Sequence, residues 1–328
     1  MQDLKPLILV VDDEAANLRV LKQILQDEYQ LSFAKSGQEA LRLVGQKRPD
    51  LILLDIMMPD MTGLDLCKLL KANPQSAGIP VIFVTALNDE ADEATGFAAG
   101  AVDYITKPVS SAIVRARVRT HLSLVQAEEL KVTRLKIIQR LGRAAEFKDN
   151  ETGMHVMRMS HYAKVLARAY GLGESHADML LHAAPMHDIG KIGIADHILL
   201  KPGKLTEEEF EVMKTHPQIG ADIIGEDDSL LMQMARTVAL THHEKWDGSG
   251  YPRGIAGEAI PVEGRIVAIA DVFDALTSDR PYKKAWSIED TLRLMREQKG
   301  RHFEPLLVEL LEQNLDKILD IKQTFVDE

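Results

Sequence analysis

The second half of the chain carries histidines and carboxylates at spacings that suit metal coordination. The candidate ligands are five histidines and three carboxylates: Glu151, His155, His187, Asp188, His216, His242, His243 and Asp271. Glu151 and His155 are four residues apart, so both side chains would lie on one face of a helix and reach a common ion. Asp271 lies between the apolar runs RIVAIA and VF, where an unpaired buried charge would be costly and metal coordination would remove that cost.

This ligand set is large enough for more than one ion. One tetrahedral ion needs about four protein ligands. Eight nitrogen and oxygen donors can therefore hold two or three ions, with positions left for water. Imidazole with carboxylate, and without thiolate, suits iron and manganese as well as zinc. We interpret the remaining histidines as structural or surface residues: His121, His161, His176, His182, His197 and His302.

A second reactive group lies in the first third of the chain, where apolar runs end in acids, a hydroxyl and a lysine. Its members are Asp12 and Asp13 after LILVV, Asp55 in LILLDI, Thr85 in VIFVTA and Lys107 at the end of DYITK. Because an open parallel sheet binds ligands beyond the carboxyl ends of its strands, we expect these side chains to converge. The group suits Mg²⁺ and phosphoryl transfer to a carboxylate, with the lysine and the hydroxyl at the phosphoryl oxygens.

The sequence patterns predict strands and helices around the group in the first third of the chain, but mainly helices around the group in the second half. Continuous apolar runs alternate with amphipathic stretches in the first third, which predicts a doubly wound α/β domain with a parallel five-stranded sheet covered on both faces. The predicted strands are residues 7–11, 31–34, 51–56, 81–86 and 103–107. After residue 148 the pattern is helical almost throughout, which predicts an all-α second domain. We place the first domain at 1–122, a helical linker at 110–148 that overlaps its last helix, and the second domain at 149–328.

The linker has the pattern of a long helix. Residues 110–148 contain no proline and a single glycine, Gly142, and apolar residues recur every three or four positions. One long helix or two joined helices would explain this. A short heptad seam with one polar break can be drawn through Val118, Leu122, Val125, Glu129 and Val132. A homodimer seam and a helix packed on its own domain both fit.

The amino-acid composition argues against several classes of protein. The chain has 328 residues, 45% hydrophobic and 27% charged, as in a soluble globular protein of about two domains. Its formal charge of −11 argues against a nucleic-acid partner. Cys67 is the only cysteine, which excludes an internal disulfide and a cysteine-rich zinc module. The sequence has no signal-peptide pattern and no long apolar window, so we expect a cytoplasmic protein without a membrane segment.

The motifs of the first third resemble the receiver domain of two-component response regulators. The resemblance covers residues 5–122 and rests on VVDDE, LLDIMMPDMTG, VTA and GAVDYITKP. It implies that a sensor histidine kinase is the partner. The implied residue roles are phosphorylation at Asp55, Mg²⁺ binding by Asp12 and Asp13, a switch pair of Thr85 and Tyr104, and pairing of Lys107 with the phosphoryl group.

Residues from about 135 to 328 resemble the HD-GYP family of metal-dependent phosphohydrolases. The matching motifs are HDIGKIGI, KPGKLTEEEFEVMKTH, HHEKWDGSGYP and RIVAIADVFDALTSDRPY. The resemblance implies hydrolysis of the bacterial messenger cyclic di-GMP, with either linear pGpG or GMP as the end product. It also implies that all eight candidate ligands surround the metal ions, and that Glu151 marks a site able to hold three ions rather than two. From the donor set we expect these ions to be iron or manganese.

The same resemblance implies the substrate contacts. Lys191 would meet a non-bridging phosphoryl oxygen and act with His187 and Asp188 in catalysis. Beyond Asp271, the family match assigns contacts with guanine or phosphate to Arg280 and Lys283, and Tyr251 would stack on a base or fill its turn. These basic groups would give a dianionic substrate a positive pocket in a protein of net charge −11.

The combined hypothesis is a response regulator whose phosphorylation at Asp55 alters phosphodiesterase activity through the 110–148 helix. One rival is an adaptor that binds metal and nucleotide with little turnover, or docks a partner through the Gly-Tyr-Pro loop at 250–252. Another is a phosphodiesterase for cyclic GMP-AMP or an enzyme for a 5′-nucleotide. Competition among these substrates would separate the alternatives.

Overall fold

The computed structural model describes residues 5–59, 61–86, 90–149, 153–279 and 284–326. The chain divides after residue 132 into two compact units: unit 1 is Met1–Val132 and unit 2 is Thr133–Glu328. Residues 133–148, which the sequence places in the linker, therefore cluster with unit 2.

Unit 1 contains the predicted parallel sheet. Its strands are β1 (Leu7–Val11), β2 (Gln30–Ala34), β3 (Leu51–Leu54), β4 (Val81–Thr85) and β5 (Asp103–Thr106). They are arranged in the order β2-β1-β3-β4-β5, and every neighbouring pair is parallel. All residues of β3 and β4 are buried because apolar layers cover both faces of the sheet. The predicted doubly wound α/β fold is confirmed.

The strand register brings the acidic residues to one edge of the sheet. Val11 pairs with Leu54, so Asp12 and Asp55 follow neighbouring strands at the same level. The flanking helices of unit 1 are α1 (Ala15–Leu25), α2 (Gly37–Gln46), α3 (Gly63–Ala72) and α4 (Glu90–Ala98). Helix α3 begins after Thr62, whose side chain accepts a hydrogen bond from the Asp65 amide.

Helix α5 is one continuous element, Ser111–Lys148. Its first part lies on the core of unit 1, where Val118 is fully buried and Leu122 is 6% exposed. These two positions of the predicted seam therefore pack on their own domain. Further along, α5 exposes a different set of apolar side chains: Leu124, Leu130, Val132, Ile137 and Leu141.

Unit 2 is helical, as predicted. After α5, the α-helices in its described part are α6 (Gly153–Tyr170), α7 (Glu174–Ala183), α8 (Asp196–Leu199), α9 (Glu207–Met213), α10 (His216–Ile224), α11 (Leu230–Thr241), α12 (Val262–Thr277), α13 (Ile288–Glu297), α14 (Pro305–Gln313) and α15 (Leu315–Thr324). The fully buried rings of Tyr162 and Phe273 meet edge to face in the core, with centroids 5.7 Å apart. Across the described parts of both units, no helix is long and apolar enough to cross a bilayer.

Candidate metal centre and phosphoacceptor site

The predicted phosphoacceptor residues meet at the carboxyl edge of the sheet. Carboxylate oxygens of Asp12, Asp13 and Asp55 lie within 4.8 Å of one another. Lys107 Nζ donates to Asp12 Oδ2 at 2.8 Å and is 3.0 Å from Asp55 Oδ2. Thr85 ends β4 and is 4% exposed. This arrangement can hold a hard cation and present Asp55 to a phosphoryl donor.

Burial and Lys107 set the charge state of this acidic edge. Burial raises the pKa of Asp55, and the hydrogen bond from Lys107 offsets part of that rise. Burial would lower the pKa of Lys107, but its hydrogen bonds to Asp12 and Asp55 outweigh burial and raise it. Gly63 is required nearby, because a Cβ there would overlap the carbonyl oxygen of Asp55. Tyr104, the second member of the predicted switch pair, lies in β5 with the Arg117 guanidinium 5.5 Å from its ring centroid.

In unit 2, His187 and Asp188 lie at a break between two short 3-10 turns. The first turn is Ala184–Met186 and the second is Ile189–Gly193. Gly190 permits this break to pack against the start of α10, since a Cβ on Gly190 would overlap the carbonyl oxygen of His216. The break therefore brings the His-Asp pair beside His216, the first residue of α10.

The first ligand cluster of unit 2 joins Asp188 to three histidines. Ligand atoms of Asp188, His216, His242 and His243 all lie within 4.8 Å of one another. Asp188 Oδ1 is 3.1 Å from His216 Nε2 and 3.3 Å from His242 Nε2. His242 and His243 follow the last residue of α11 directly, so the end of that helix delivers both rings.

The second cluster consists of His155, His187 and Asp271. Helix α6 carries His155 and helix α12 carries Asp271, and His155 Nε2 is 3.3 Å from Asp271 Oδ1. Burial alone would lower the pKa of His155, but hydrogen bonds to Asp271 and Asp274 raise it well above its ordinary value. For Asp271, burial opposes ionisation, yet the hydrogen bond from His155 outweighs it and lowers the pKa.

The orientation of the imidazole rings fits a divalent cation. The Nδ1 atoms of His187, His216 and His242 lie 3.1, 2.8 and 3.1 Å from backbone carbonyl oxygens of the preceding turn. Each Nδ1 therefore donates its proton, which leaves the Nε2 lone pair facing the cluster, as in metal-ligating histidines generally. Among the described residues His187 Nε2 has no hydrogen-bond partner although it is fully buried. These histidines and carboxylates thus form a candidate divalent metal site.

A carboxylate–guanidinium pair that supports His155, Asp274 with Arg158, was not predicted from the sequence. Asp274 Oδ2 is 2.9 Å from His155 Nδ1, and Arg158 donates to both oxygens of Asp274 at 2.8 and 2.9 Å. Burial opposes ionisation of Asp274, but hydrogen bonds from His155 and Arg158 lower its pKa to about 2. Asp274 lies three residues after Asp271 in the same apolar helix, so the argument that singled out Asp271 applies to it equally.

A third cluster contains a glutamate that the sequence did not single out. Glu146, near the end of α5, has its carboxylate oxygen within 4.8 Å of ligand atoms of His187 and Asp188. It is 1% exposed, and neither oxygen has a hydrogen-bond partner in the described part of the chain. The only sequence signal near it is Gly142, the single glycine of the 110–148 segment.

A cavity of about 380 Å³ opens beside the clusters. Lys191 lines it and its Nζ is 2.6 Å from Asp149 Oδ2 and 2.8 Å from Asp188 Oδ2. Tyr251 also lines the cavity, and its aromatic ring is stacked on the ring of His243, with ring centroids 4.7 Å apart. Lys191 therefore offers a cation, and Tyr251 an aromatic ring, next to the ligand clusters.

The loop that carries Tyr251 folds back tightly onto the metal-facing histidines. Asp247 accepts hydrogen bonds from the amide and hydroxyl of Ser249, which forms a tight turn. Gly250 has no room for a side chain, because a Cβ there would overlap the backbone of Glu244 and Lys245.

Seven of the eight predicted ligands fall in these clusters. The eighth, Glu151, and the predicted substrate contacts Arg280 and Lys283 lie outside the described residues. The six histidines interpreted as structural are outside the three clusters of unit 2. Some of them have other polar partners: His121 Nε2 is 3.0 Å from Asp103, His161 Nδ1 is 2.7 Å from the Met157 carbonyl oxygen, and His176 Nε2 is 3.0 Å from Glu263.

Comparison with known proteins places both units in families. The sequence matches the response regulator receiver domain over residues 8–119 and the HD domain over residues 136–307. A probable cyclic di-GMP phosphodiesterase of Vibrio cholerae is 39% identical, in an alignment that covers all of this chain and 82% of that protein. The cyclic di-GMP phosphodiesterase response regulator RpfG of Xanthomonas campestris is 40% identical, over 93% of this chain and 86% of that protein. The 3′3′-cGAMP-specific phosphodiesterase 2 of Vibrio cholerae is 48% identical, over 61% of this chain and 38% of that protein.

A receiver domain followed by an HD domain with clustered histidines and carboxylates defines a class, the response regulators with an HD-type output domain. Within that class, this chain belongs to the HD-GYP response regulators, the family that its motifs and its full-length relatives share.

Proposed function

We propose that this chain hydrolyses cyclic di-GMP to pGpG, and further to GMP, under the control of phosphorylation at Asp55. The observation that carries the proposal is the sharing of His187 and Asp188 among three ligand clusters that border one cavity. An adaptor that only docked a partner through the Gly-Tyr-Pro loop would need no such buried ligand set. The curated relatives that span nearly the whole chain are cyclic di-GMP phosphodiesterases, which supports the same substrate.

The proposed cofactors are two or three divalent ions, iron or manganese, in unit 2 and Mg²⁺ at Asp12, Asp13 and Asp55. When bound, adjacent divalent ions polarise a phosphodiester and lower the pKa of water to about 7. All eight predicted ligands belong to the proposed site, and Glu151 is assigned to the third ion.

The residues of this chain would bind and orient the substrate. Lys191 Nζ, held at the cavity wall by Asp149 and Asp188, is placed to donate to a non-bridging phosphoryl oxygen. Tyr251 offers its ring to a guanine base. Arg280 and Lys283 are further proposed contacts of the guanine or phosphate.

Anaerobic purification, metal analysis and turnover of cyclic di-GMP test the proposal. We expect pGpG to appear first, and Asp188→Asn to lose bound metal and turnover together because Asp188 belongs to two clusters. A fully metal-loaded protein that binds cyclic di-GMP without forming product would contradict the proposal and support the adaptor.

Hydrolysis of 3′3′-cGAMP is a second candidate, because a cGAMP-specific relative is 48% identical over the matched region. Both cyclic dinucleotides should be competed in one preparation, with a 5′-nucleotide as the third substrate. Preference for cGAMP would replace cyclic di-GMP as the substrate, and preference for the mononucleotide would contradict both.

The proposed regulation follows from the receiver. A sensor histidine kinase would phosphorylate Asp55, and α5 would carry the effect to unit 2. Treatment with beryllium fluoride, a phosphoryl mimic, should change the turnover of the wild-type protein and leave that of Asp55→Asn unchanged. Equal turnover of the treated and untreated wild type would contradict this coupling.

We also propose two surfaces of this chain for interaction with other proteins. Leu130 and Ile137 are about half exposed and seven residues apart on α5, which supports a homodimer through this helix. The Gly-Tyr-Pro loop at 250–252 is the proposed docking edge for a partner. A cytoplasmic location stays a prediction from the sequence.

A further inference from the structure

We infer that Glu146 is a metal ligand of unit 2, which binds a divalent cation together with His187 and Asp188. This assignment deepens the proposed function, on which it rests for the presence of metal, and it adds a ligand contributed by the helix that begins in the receiver. None of the eight residues predicted from the sequence lies on that helix.

The surroundings of Glu146 point to a cation. Its side chain is 99% buried, and both carboxylate oxygens lack a hydrogen-bond partner among the residues that the structure describes. His187 Nε2 is likewise buried, with Asp188 Oδ2 at 3.3 Å, and the side chains of Glu146 and His187 contribute ligand atoms to one cluster with Asp188. Burying an ionised carboxylate without a hydrogen-bond partner costs several kcal/mol, in order of magnitude. A shared cation would satisfy the carboxylate and the imidazole at once.

Two contacts hold Glu146 in this position. Gly142, one helical turn earlier, lets α5 approach the first 3-10 turn so closely that a Cβ would overlap the Pro185 carbonyl oxygen. Lys148 Nζ donates to the carbonyl oxygens of Ile192 at 2.8 Å and Ile194 at 2.6 Å. The end of α5 is thus fixed on both sides of the His187–Asp188 break, and Glu146 lies between these contacts in sequence.

The alternative role for Glu146 is that of a neutral carboxylic acid that only fills space. A neutral acid would be expected to donate its proton to a neighbouring acceptor, and no such hydrogen bond is formed by either oxygen among the described residues. The two roles differ in one measurable respect, because only a ligand contributes to metal affinity.

The test compares Mn²⁺ binding by the full-length wild type, Glu146→Gln and Glu244→Gln, using equilibrium dialysis and metal analysis. Glu244 is the matched control: it is 2% exposed, has one oxygen without a hydrogen-bond partner and follows His243, but it belongs to none of the clusters. We expect Glu146→Gln to bind one Mn²⁺ fewer per chain, or its weakest ion at least about tenfold more weakly, the lower end of losses seen for groups that support a metal site. Glu244→Gln should bind as the wild type does.

Thermal unfolding of the metal-free proteins separates this effect from misfolding. Glu146→Gln replaces a buried acid by a neutral amide of the same shape, so its metal-free form should unfold at or above the wild-type temperature, while Mn²⁺ should raise that temperature less than in the wild type. Equal Mn²⁺ stoichiometry and affinity in Glu146→Gln and wild type would overturn the assignment. A wild type that binds Mn²⁺ through Glu146 yet leaves cyclic di-GMP intact would uphold the ligand and contradict the proposed function instead.

Discussion

The two ring nitrogens of His155 have separate tasks. Nε2 faces Asp271 and the cluster, and Nδ1 contacts Asp274, whose carboxylate is in turn held by Arg158. Arg158 is 2% exposed and Asp274 is fully buried, so the pair is insulated from solvent. Such a pair fixes the ring orientation that a metal ligand needs.

Removal of the Asp274 charge should therefore weaken metal binding and folding together. In Asp274→Asn the affinity for Mn²⁺ should fall about 10- to 100-fold, because His155 loses its orienting carboxylate. The free energy of unfolding should fall by about 3–5 kcal/mol, because the buried Arg158 guanidinium loses the carboxylate to which it donates two hydrogen bonds. Mn²⁺ titration and chemical denaturation measure the two effects.

Asp316, an exposed residue near the start of α15, supplies the control. Asp316→Asn removes the same charge from the surface and should leave both quantities unchanged. Unaltered Mn²⁺ affinity in Asp274→Asn would show that the carboxylate does not position His155.

Individual ligands were predictable where a charge interrupts an apolar pattern or where two ligands are adjacent. Asp271 and the His242–His243 pair are of this kind. Glu146 was missed because it lies in a helix rich in charged residues, where an acid is ordinarily solvated, and only the close packing of α5 buries it. Arg158 was missed because its role depends on α12, a neighbour that is distant in sequence.

Among the elements, the close approach of α10 to the second 3-10 turn decides the geometry of the first ligand cluster. Gly190 is in contact with the backbone of both His216 and Gly220, so two chain segments touch with no side chain between them. This contact sets the distance between Asp188 and His216. The glycine of the HDIG motif is thus explained by packing rather than by an unusual turn.

Gly190→Ala should disturb that packing. The added methyl group would force the backbone of α10 to move, and overpacking of this kind costs about 1–3 kcal/mol of unfolding free energy. Mn²⁺ affinity should fall with it because His216 is the first residue of α10. Denaturation and metal titration of the same preparation check both.

The matched control is Gly45→Ala in α2, where an added Cβ meets no atom within 4 Å. That substitution should be neutral or stabilise unit 1 by up to about 1 kcal/mol, as expected for alanine in place of glycine in a helix. If Gly190→Ala were as well tolerated as Gly45→Ala, the close approach would have no energetic importance.

Helices and strands could be predicted from the sequence where one face of the element, or the whole element, is buried. The continuous runs of β3 and β4 identify buried parallel strands, and both are buried at every position. The heptad seam of α5 was ambiguous because a helix that packs on its own domain and a helix that dimerises repeat at nearly the same spacing. Val118 and Leu122 belong to the first kind, whereas Leu130 and Ile137 remain exposed.

At the scale of the whole molecule, the two units hold their acidic sites differently. In unit 1, Lys107 already neutralises part of the acidic edge. In unit 2, three carboxylates, Glu146, Asp188 and Asp271, contribute to overlapping clusters. Lys191 Nζ is 2.8 Å from Asp188 and His155 Nε2 is 3.3 Å from Asp271, whereas neither oxygen of Glu146 has a hydrogen-bond partner among the described residues. Unit 2 should therefore depend more strongly on bound metal for its stability.

Metal removal should consequently lower the unfolding temperature of unit 2 selectively. With Mg²⁺ in excess throughout, loading unit 2 with Mn²⁺ at about 100 times its dissociation constant should add about 2.7 kcal/mol to its stability. Scanning calorimetry of the metal-stripped and Mn²⁺-loaded protein should show one transition that shifts and one that does not. Equal shifts of both transitions, or no shift, would contradict the assignment of the Mn²⁺-binding clusters to unit 2.

Because Lys148 donates hydrogen bonds to carbonyl groups that follow the His-Asp pair, the output domain can be joined to another protein only if it keeps the end of α5. A fragment that starts at residue 149 would lose Lys148, Gly142 and Glu146 together, and with them the wall against which the His187–Asp188 break is packed. A fragment that starts near residue 133 keeps all three. Any recombination event that moved this output domain to a new sensor would thus have had to carry the last turns of the receiver's helix with it.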